Sequence, residues 1–251
     1  MITVEELNRL GPDALRELLS GPTEQVAETM RAAAEGGSVD AQLLLGQMLL
    51  DGHGLERDRP AALRWFDRAA RAGSAMAMNM IGRCCEHGWG CAVDPSRAAE
   101  WYRAAASRGL DWGMYNLATL LALGRGVAED KKQALELFRR ASALGHAKSS
   151  TMIGSFHEDG WVVDRDLDAA TGFYRQGAEG GDFRGQFNLA RMLIDGGNAE
   201  EGCSWLRRSV ETATPAFIDQ VRAWQAAHPH PVVRMLKLDA IDGEGYANAS
   251  H

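Results

Sequence analysis

The stretch DGHGLERDRPAALRWFDRAARAG, Asp51 to Gly73, decides the fold, because its pattern returns 36 residues later as HGWGCAVDPSRAAEWYRAAASRG, His87 to Gly109. Two glycine series keep the same step: Gly37, Gly73, Gly109, Gly145 and Gly181, then Gly52, Gly88, Gly124, Gly160 and Gly196. Asp58, Asp94, Asp130 and Asp166 form another column, and Ala62, Ala98, Ala134 and Ala170 a fourth. Paired large residues follow: Trp65 and Phe66, Trp101 and Tyr102, Leu137 and Phe138, Phe173 and Tyr174, then Trp205 and Leu206 after a four-residue deletion. So many columns in one register define an internal repeat.

Each unit reads as two helices. Ala41, Leu45 and Leu49 before the turn, and Ala62, Phe66, Ala69 and Ala70 after it, fall at helical spacing. The turn glycines end the first helix by adopting left-handed backbone, and the Asp after them suits the N-cap of the second. Small residues at Gly46, Gly82, Ala118, Gly154 and Ala190 are expected to face Ala69, Ala105, Ala141 and their equivalents, bringing the paired helices close. One such hairpin cannot bury its own apolar face, so the units must stack into an all-α array.

AQLLLG (Ala41 to Gly46), DGHGLERD and AALRWFDRAARAG together resemble the Sel-1-like repeat family, a relative of the tetratricopeptide repeats. YNLATLLALGRGVAEDKKQALELFRRASALG, Tyr115 to Gly145, matches it equally well. The likeness covers Asp40 to Ala213. It implies a right-handed α/α superhelical solenoid whose concave face binds other proteins, acting as an adaptor or regulator and not as a catalyst. Departures are Val162 in place of the second turn glycine, Gly172 and Gly177 in one second helix, and the shortened fifth unit. The resulting layout is an N-terminal cap with a half-repeat (1–37), five repeats (38–73, 74–109, 110–145, 146–181 and 182–213), and a C-terminal capping helix and tail (214–251). Within the caps, Pro12 to Ser20 is expected to be a short helix, Thr23 to Gly37 a second-helix half-repeat, and PAFIDQVRAWQAA a helix stopped by HPHP.

The segment CCEHGWGC, Cys84 to Cys91, invites a metal or redox reading. The repeat register answers it. Cys84 aligns with Met48, Leu120, Phe156 and Met192, Cys85 with Leu49, Leu121, His157 and Leu193, and Cys91 with Leu55, Val127 and Val163. These are packing columns, and a free cysteine behaves as a small hydrophobe. Residues 84 and 85 diverge by about 100° around a helix, and the spacing matches no common zinc signature. The sequence therefore implies no metal and no cofactor. The four cysteines read as reduced thiols.

A partner would meet the first-helix residues opposite the buried arc: Asn79, Arg83 and Glu86; Tyr115 and Thr119; Thr151, Ser155 and Glu158; Phe187 and Arg191. Leu43, Gln47, Leu50, Ala122 and Ile194 fill the remaining places. Aromatics and arginines there are the expected anchors for an extended or helical peptide. The alternative is an ordinary solvated inner face. Asn116 and Asn188, in YNL and FNL, match the family pattern, holding a peptide backbone or bracing the next unit. Trp89 and Trp161, 72 residues apart, offer a second surface along the turn edge unless each folds back on its own hairpin.

A formal charge of −7 without a basic block argues against a nucleic-acid surface. No segment is long and apolar enough to insert in a membrane, and the start lacks a signal-peptide pattern, so the expected location is cytoplasmic. GxSxG, SxxK, HExxH and GxxxxGK are absent. The leading function is a non-enzymatic adaptor or regulator binding a protein or peptide. A dedicated inhibitor or immunity protein is the alternative, and an enzyme using Cys84, Cys85, His87 and Cys91 a further one.

Overall fold

The computed structural model describes residues 23–238, and among them every regular element is a helix. α1 (Thr23–Glu35) precedes five successive pairs: α2 (Val39–Asp51) and α3 (Arg59–Arg71), α4 (Ala75–His87) and α5 (Pro95–Ser107), α6 (Asp111–Leu123) and α7 (Lys131–Ala143), α8 (Ala147–Asp159) and α9 (Leu167–Glu179), α10 (Phe183–Asp195) and α11 (Ala199–Glu211). α12 (Pro215–Ala227) and the short α13 (Pro231–Met235) follow. The chain divides after Ala134, within α7, into two compact units. The expected helix at Pro12 to Ser20 and the tail beyond Leu238 lie outside the described residues.

Local chemistry sets the helix ends. Carboxylate oxygens of Asp58, Asp94 and Asp166 accept from the backbone N–H of Ala61, Arg97 and Ala169 at 2.8–2.9 Å, and Pro60 and Pro95 sit in the first turn of α3 and α5. α2, α4, α6 and α8 end on left-handed glycines, Gly52, Gly88, Gly124 and Gly160, with φ between 62 and 76°. The fifth hairpin differs. Its four-residue deletion leaves Gly196 at φ −77°, shifts the left-handed geometry to Gly197, and passes the capping role to Asn198.

The first-helix glycines receive rings instead of the expected alanines. A Cβ placed at Gly46 or Gly82 would stand 2.5 Å from Cε1 of Phe66 or Tyr102, and one at Gly154 would stand 2.6 Å from Tyr174. The flat ring fills the space that a second alanine would leave open. Ala105 lies instead beneath the next hairpin, 2.7 Å from where a Cβ on Gly113 would be. The second turn glycine has its own reason: a Cβ on Gly90 would collide with the Arg59 carbonyl, and one on Gly126 with the Pro95 backbone. The second and third turns thus seat on the start of the preceding second helix. Val162 occupies the equivalent place with φ 55°, a conformation disfavoured for a β-branched residue.

In the first unit, Val26, Met30, Ala33 and Ala34 of α1 are buried. In the second, the core of Tyr174, Leu189, Leu206 and Val210 runs on through Ile218 and Val221 of α12 to Val233 of α13. Gln225 fastens that end by donating to the carbonyls of Val233 and Leu236 at 2.8 and 2.6 Å.

Candidate partner-binding surface

The first-helix columns are less open than their sequence spacing predicts. Asn79 and Thr151 are buried, and Arg83, Glu86, Tyr115, Asn116, Thr119, Ser155, Glu158, Phe187, Asn188 and Arg191 are half-buried. Within each unit neighbouring first helices, α4 with α6 and α8 with α10, lie side by side, and their side chains reach across. Asn116 Nδ2 donates to Asn79 Oδ1 at 2.9 Å, tying α6 to α4. Phe187 of α10 meets Phe217 and Trp224 of α12 edge-on, with centroids 5.6 and 5.3 Å apart. The hydroxyls of Thr119, Thr151 and Ser155 donate back to carbonyls one turn earlier in their own helices.

Glu86 and Glu158 are held from inside. The buried Tyr102 hydroxyl donates to Glu86 at 2.8 Å, and that of Tyr174 to Glu158 at 2.6 Å. A residue of the following hairpin approaches from the other side: Arg125 Nη1 lies 3.5 Å from Glu86, and Arg191 Nη2 spans both Glu158 oxygens at 2.9 Å. Burial first, and the adjacent carboxylate second, hold Tyr102 well above the ordinary tyrosine range. Burial, with the hydrogen bond to Glu158 next, does the same to Tyr174. Both phenols therefore remain protonated donors at neutral pH.

The sequence carries a signal for this arrangement that column spacing alone misses. Where the core ring is Tyr102 or Tyr174, the residue 16 positions earlier is Glu86 or Glu158. Where that position holds a side chain without a hydroxyl, as at Phe66, Phe138 and Leu206, the aligned column holds Leu50, Ala122 or Ile194. Hydroxyl and carboxylate appear together or not at all.

Both turn tryptophans contact their own hairpins. Trp89 packs on His87, with centroids 4.7 Å apart, and the Arg83 guanidinium lies 5.2 Å from its ring. Trp161 meets Phe156 edge-on at 5.5 Å yet stays 41% exposed, beside the exposed Val162. Arg83, Trp89, Glu86 and Arg125 thus form one half-open polar and aromatic group at the end of α4.

The cysteines occupy packing positions. Cys84 and Cys85 are buried, and the Cys91 thiol donates to the Cys84 carbonyl at 3.5 Å. Burial, followed by the neighbouring thiols, pushes Cys84 up to about 12; burial, followed by Cys91, pushes Cys85 up to about 11. Neutral thiols are poor ligands and nucleophiles. Among the described residues no group of three or more His, Cys, Asp or Glu is placed to hold a metal.

A Sel1 repeat model matches residues 39–74, 75–110, 113–146 and 147–182, more than half of the chain. The chain belongs to the Sel1 repeat family. Its fold class is the all-α helical-repeat solenoid, also adopted by a Sel1 repeat protein from Oxalobacter formigenes (23% identity, TM-score 0.78, covering 95% of this chain and 94% of that one). A protective antigen of uropathogenic Escherichia coli with an SLR fold is 27% identical, with a TM-score of 0.66 over 87% of this chain and 50% of its own. An immunity protein from Pseudomonas aeruginosa shares the fold at 16% identity, with a TM-score of 0.53 over 78% of this chain and 74% of that one. None of the curated proteins compared with the sequence matches it.

Sel1 repeats are typically protein-interaction scaffolds and not catalysts. The matched Sel1 units contain the Asn79 to Glu86, Tyr115 to Thr119 and Thr151 to Glu158 columns, whereas Phe187, Asn188 and Arg191 lie beyond them. Among the described residues no helix is long and apolar enough to cross a membrane.

Proposed function

We propose that this Sel1 repeat protein is a non-catalytic adaptor or regulator that holds a protein or peptide partner against its first helices, in a reducing compartment such as the cytoplasm. The observation that carries the reading is the pre-set geometry at the end of α4. There Trp89 supports Arg83, and Tyr102 and Arg125 hold Glu86, while Arg83 and Glu86, both half-buried, keep part of their surface exposed. Side chains fixed before binding lose less rotamer freedom when a partner docks. Tyr115 and Thr119 of the next first helix extend the surface, and Ser155, Glu158 and Arg191 repeat its polar character in the second unit. The buried free thiols Cys84, Cys85 and Cys203 support a reducing location.

The test uses the full chain as bait, identifies what it captures, and titrates that partner against variants. Arg83→Ala and Tyr115→Ala, with helicity unchanged, are each expected to weaken binding about tenfold, or about 1.4 kcal/mol. Unaltered affinity in both overturns the reading. Phe187→Ala is less clean, because its loss also loosens the contact with α12. An immunity role, as in the Pseudomonas protein of this fold, is a second reading on the same scaffold. One dominant, tightly held partner in the capture would assign it, and several weaker partners would assign the adaptor.

A further inference from the structure

The second helices of the first unit border a cleft that the first-helix columns do not reach. It encloses about 770 Å³ between α3 and α5, with Ile81 and Cys85 of α4 among its lining. Trp65 and Trp101, one repeat apart, contribute indoles, and Arg64, Arg68, Arg71 and Arg97 contribute guanidinium groups. Among the described lining residues the only acid is Asp67, tied to Arg71 at 2.8 Å. Arg68 stacks 4.5 Å from the Trp65 ring, and Arg64 and Arg97 have no carboxylate partner among the described residues. Four arginines against one aspartate is a local reversal in a chain whose formal charge is −7.

We infer that this cleft binds an acidic peptide segment of a partner protein in extended form, with its carboxylates on the arginines and an apolar side chain against the indoles. The spacing fits. Arg64, Arg68 and Arg71 succeed one another along α3 at a rise of about 1.5 Å per residue, giving steps of roughly 6 and 4.5 Å. Alternate residues of an extended chain lie about 6.6 Å apart, so carboxylates two positions apart match the Arg64 to Arg68 step, Arg71 being paired with Asp67. Each guanidinium presents a planar fork that matches a carboxylate. Charges beyond about 8 Å are screened at physiological salt, so the cleft and not the net charge governs a short acidic ligand. A long polyanion would also meet the acidic remainder of the surface, which favours a peptide over a nucleic acid.

The inference does not depend on the first-helix surface, and its test separates the two. A fluorescein-labelled peptide Gly-Glu-Leu-Glu-Trp-Glu-Gly, its Gln-for-Glu counterpart and an oligothymidylate of equal charge are titrated with the full chain by anisotropy at physiological salt. The Glu peptide is expected to bind at least about tenfold tighter than the Gln peptide, the sum of several partly exposed charge pairs. Arg64→Ala combined with Arg97→Ala, both exposed positions, should shrink that difference with helicity unchanged, Arg68 and Arg71 remaining, and Tyr115→Ala should leave it intact. Equal binding of the Glu and Gln peptides, or undiminished binding by the double variant, overturns the inference. Tighter binding of the oligothymidylate also overturns it and assigns the cleft to nucleic acid.

Discussion

The first and second hairpins are built on one plan and end with different surfaces. In the first, Phe66 lies over Gly46 and the aligned first-helix residue is Leu50, which is buried. In the second, Tyr102 lies over Gly82 and its hydroxyl emerges at Glu86, which then engages Arg125. One oxygen on a core ring accompanies the change of the neighbouring surface position from apolar to charged. The comparison teaches that scaffold and binding face are coupled at this position, so a change in one calls for a change in the other. The fourth hairpin repeats the second through Tyr174, Glu158 and Arg191.

The plan that both hairpins share should be the most costly to disturb. We predict that Gly46→Ala and Gly82→Ala each destabilise the chain by about 2–3 kcal/mol, since the added methyl would meet a ring held between two helices. Urea unfolding midpoints measure this, and a large effect in only one hairpin would break the equivalence. Converting the first hairpin toward the second comes next. Phe66→Tyr alone buries a hydroxyl beside Leu50 and is expected to cost about 1–3 kcal/mol, most of it recovered when Leu50→Glu is added. A double-mutant cycle without coupling would sever the link between ring and column.

Alkali probes the two tyrosine hairpins together. Both phenols are held above their ordinary range, so the folded chain retains protons that the unfolded chain releases. Their contribution is complete below about pH 10 and declines as pH rises above it, by about 1.4 kcal/mol per tyrosine at pH 11. Stability measured from pH 8 to 11 should fall less steeply in the Tyr102→Phe, Tyr174→Phe double variant, and an unchanged slope would contradict the burial of these hydroxyls. The smallest effect is expected at the fourth turn. Val162→Gly should raise stability by less than about 1 kcal/mol, the relief of left-handed backbone outweighing the added freedom of the unfolded chain.

The hairpins, their turn glycines and their Asp caps were legible in the sequence because each depends on one residue type at a fixed interval. The packing role of Cys84 and Cys85 was legible for the same reason, through the columns they share with Leu120 and Leu121. The accessibility of the first-helix columns was not. A single helical wheel places Asn79 and Thr151 opposite the core, but it omits the neighbours that cover them, Asn116 of α6 beside Asn79 and the glycines Gly177 of α9 and Gly185 of α10 beside Thr151. Trp89 and Arg83 are 6 positions apart, and only the reversal of the chain at Gly88 brings them into contact. The cleft between α3 and α5 went unread because Arg64 and Arg97 belong to different repeat columns and converge only when the second helices lie side by side.

The seating of Gly90 on the Arg59 carbonyl and of Gly126 on the Pro95 backbone has an evolutionary consequence. A seam closed against main-chain atoms asks little of side-chain identity on the helix that receives it. Successive modules can therefore diversify their outward chemistry while the joint between them is inherited unchanged.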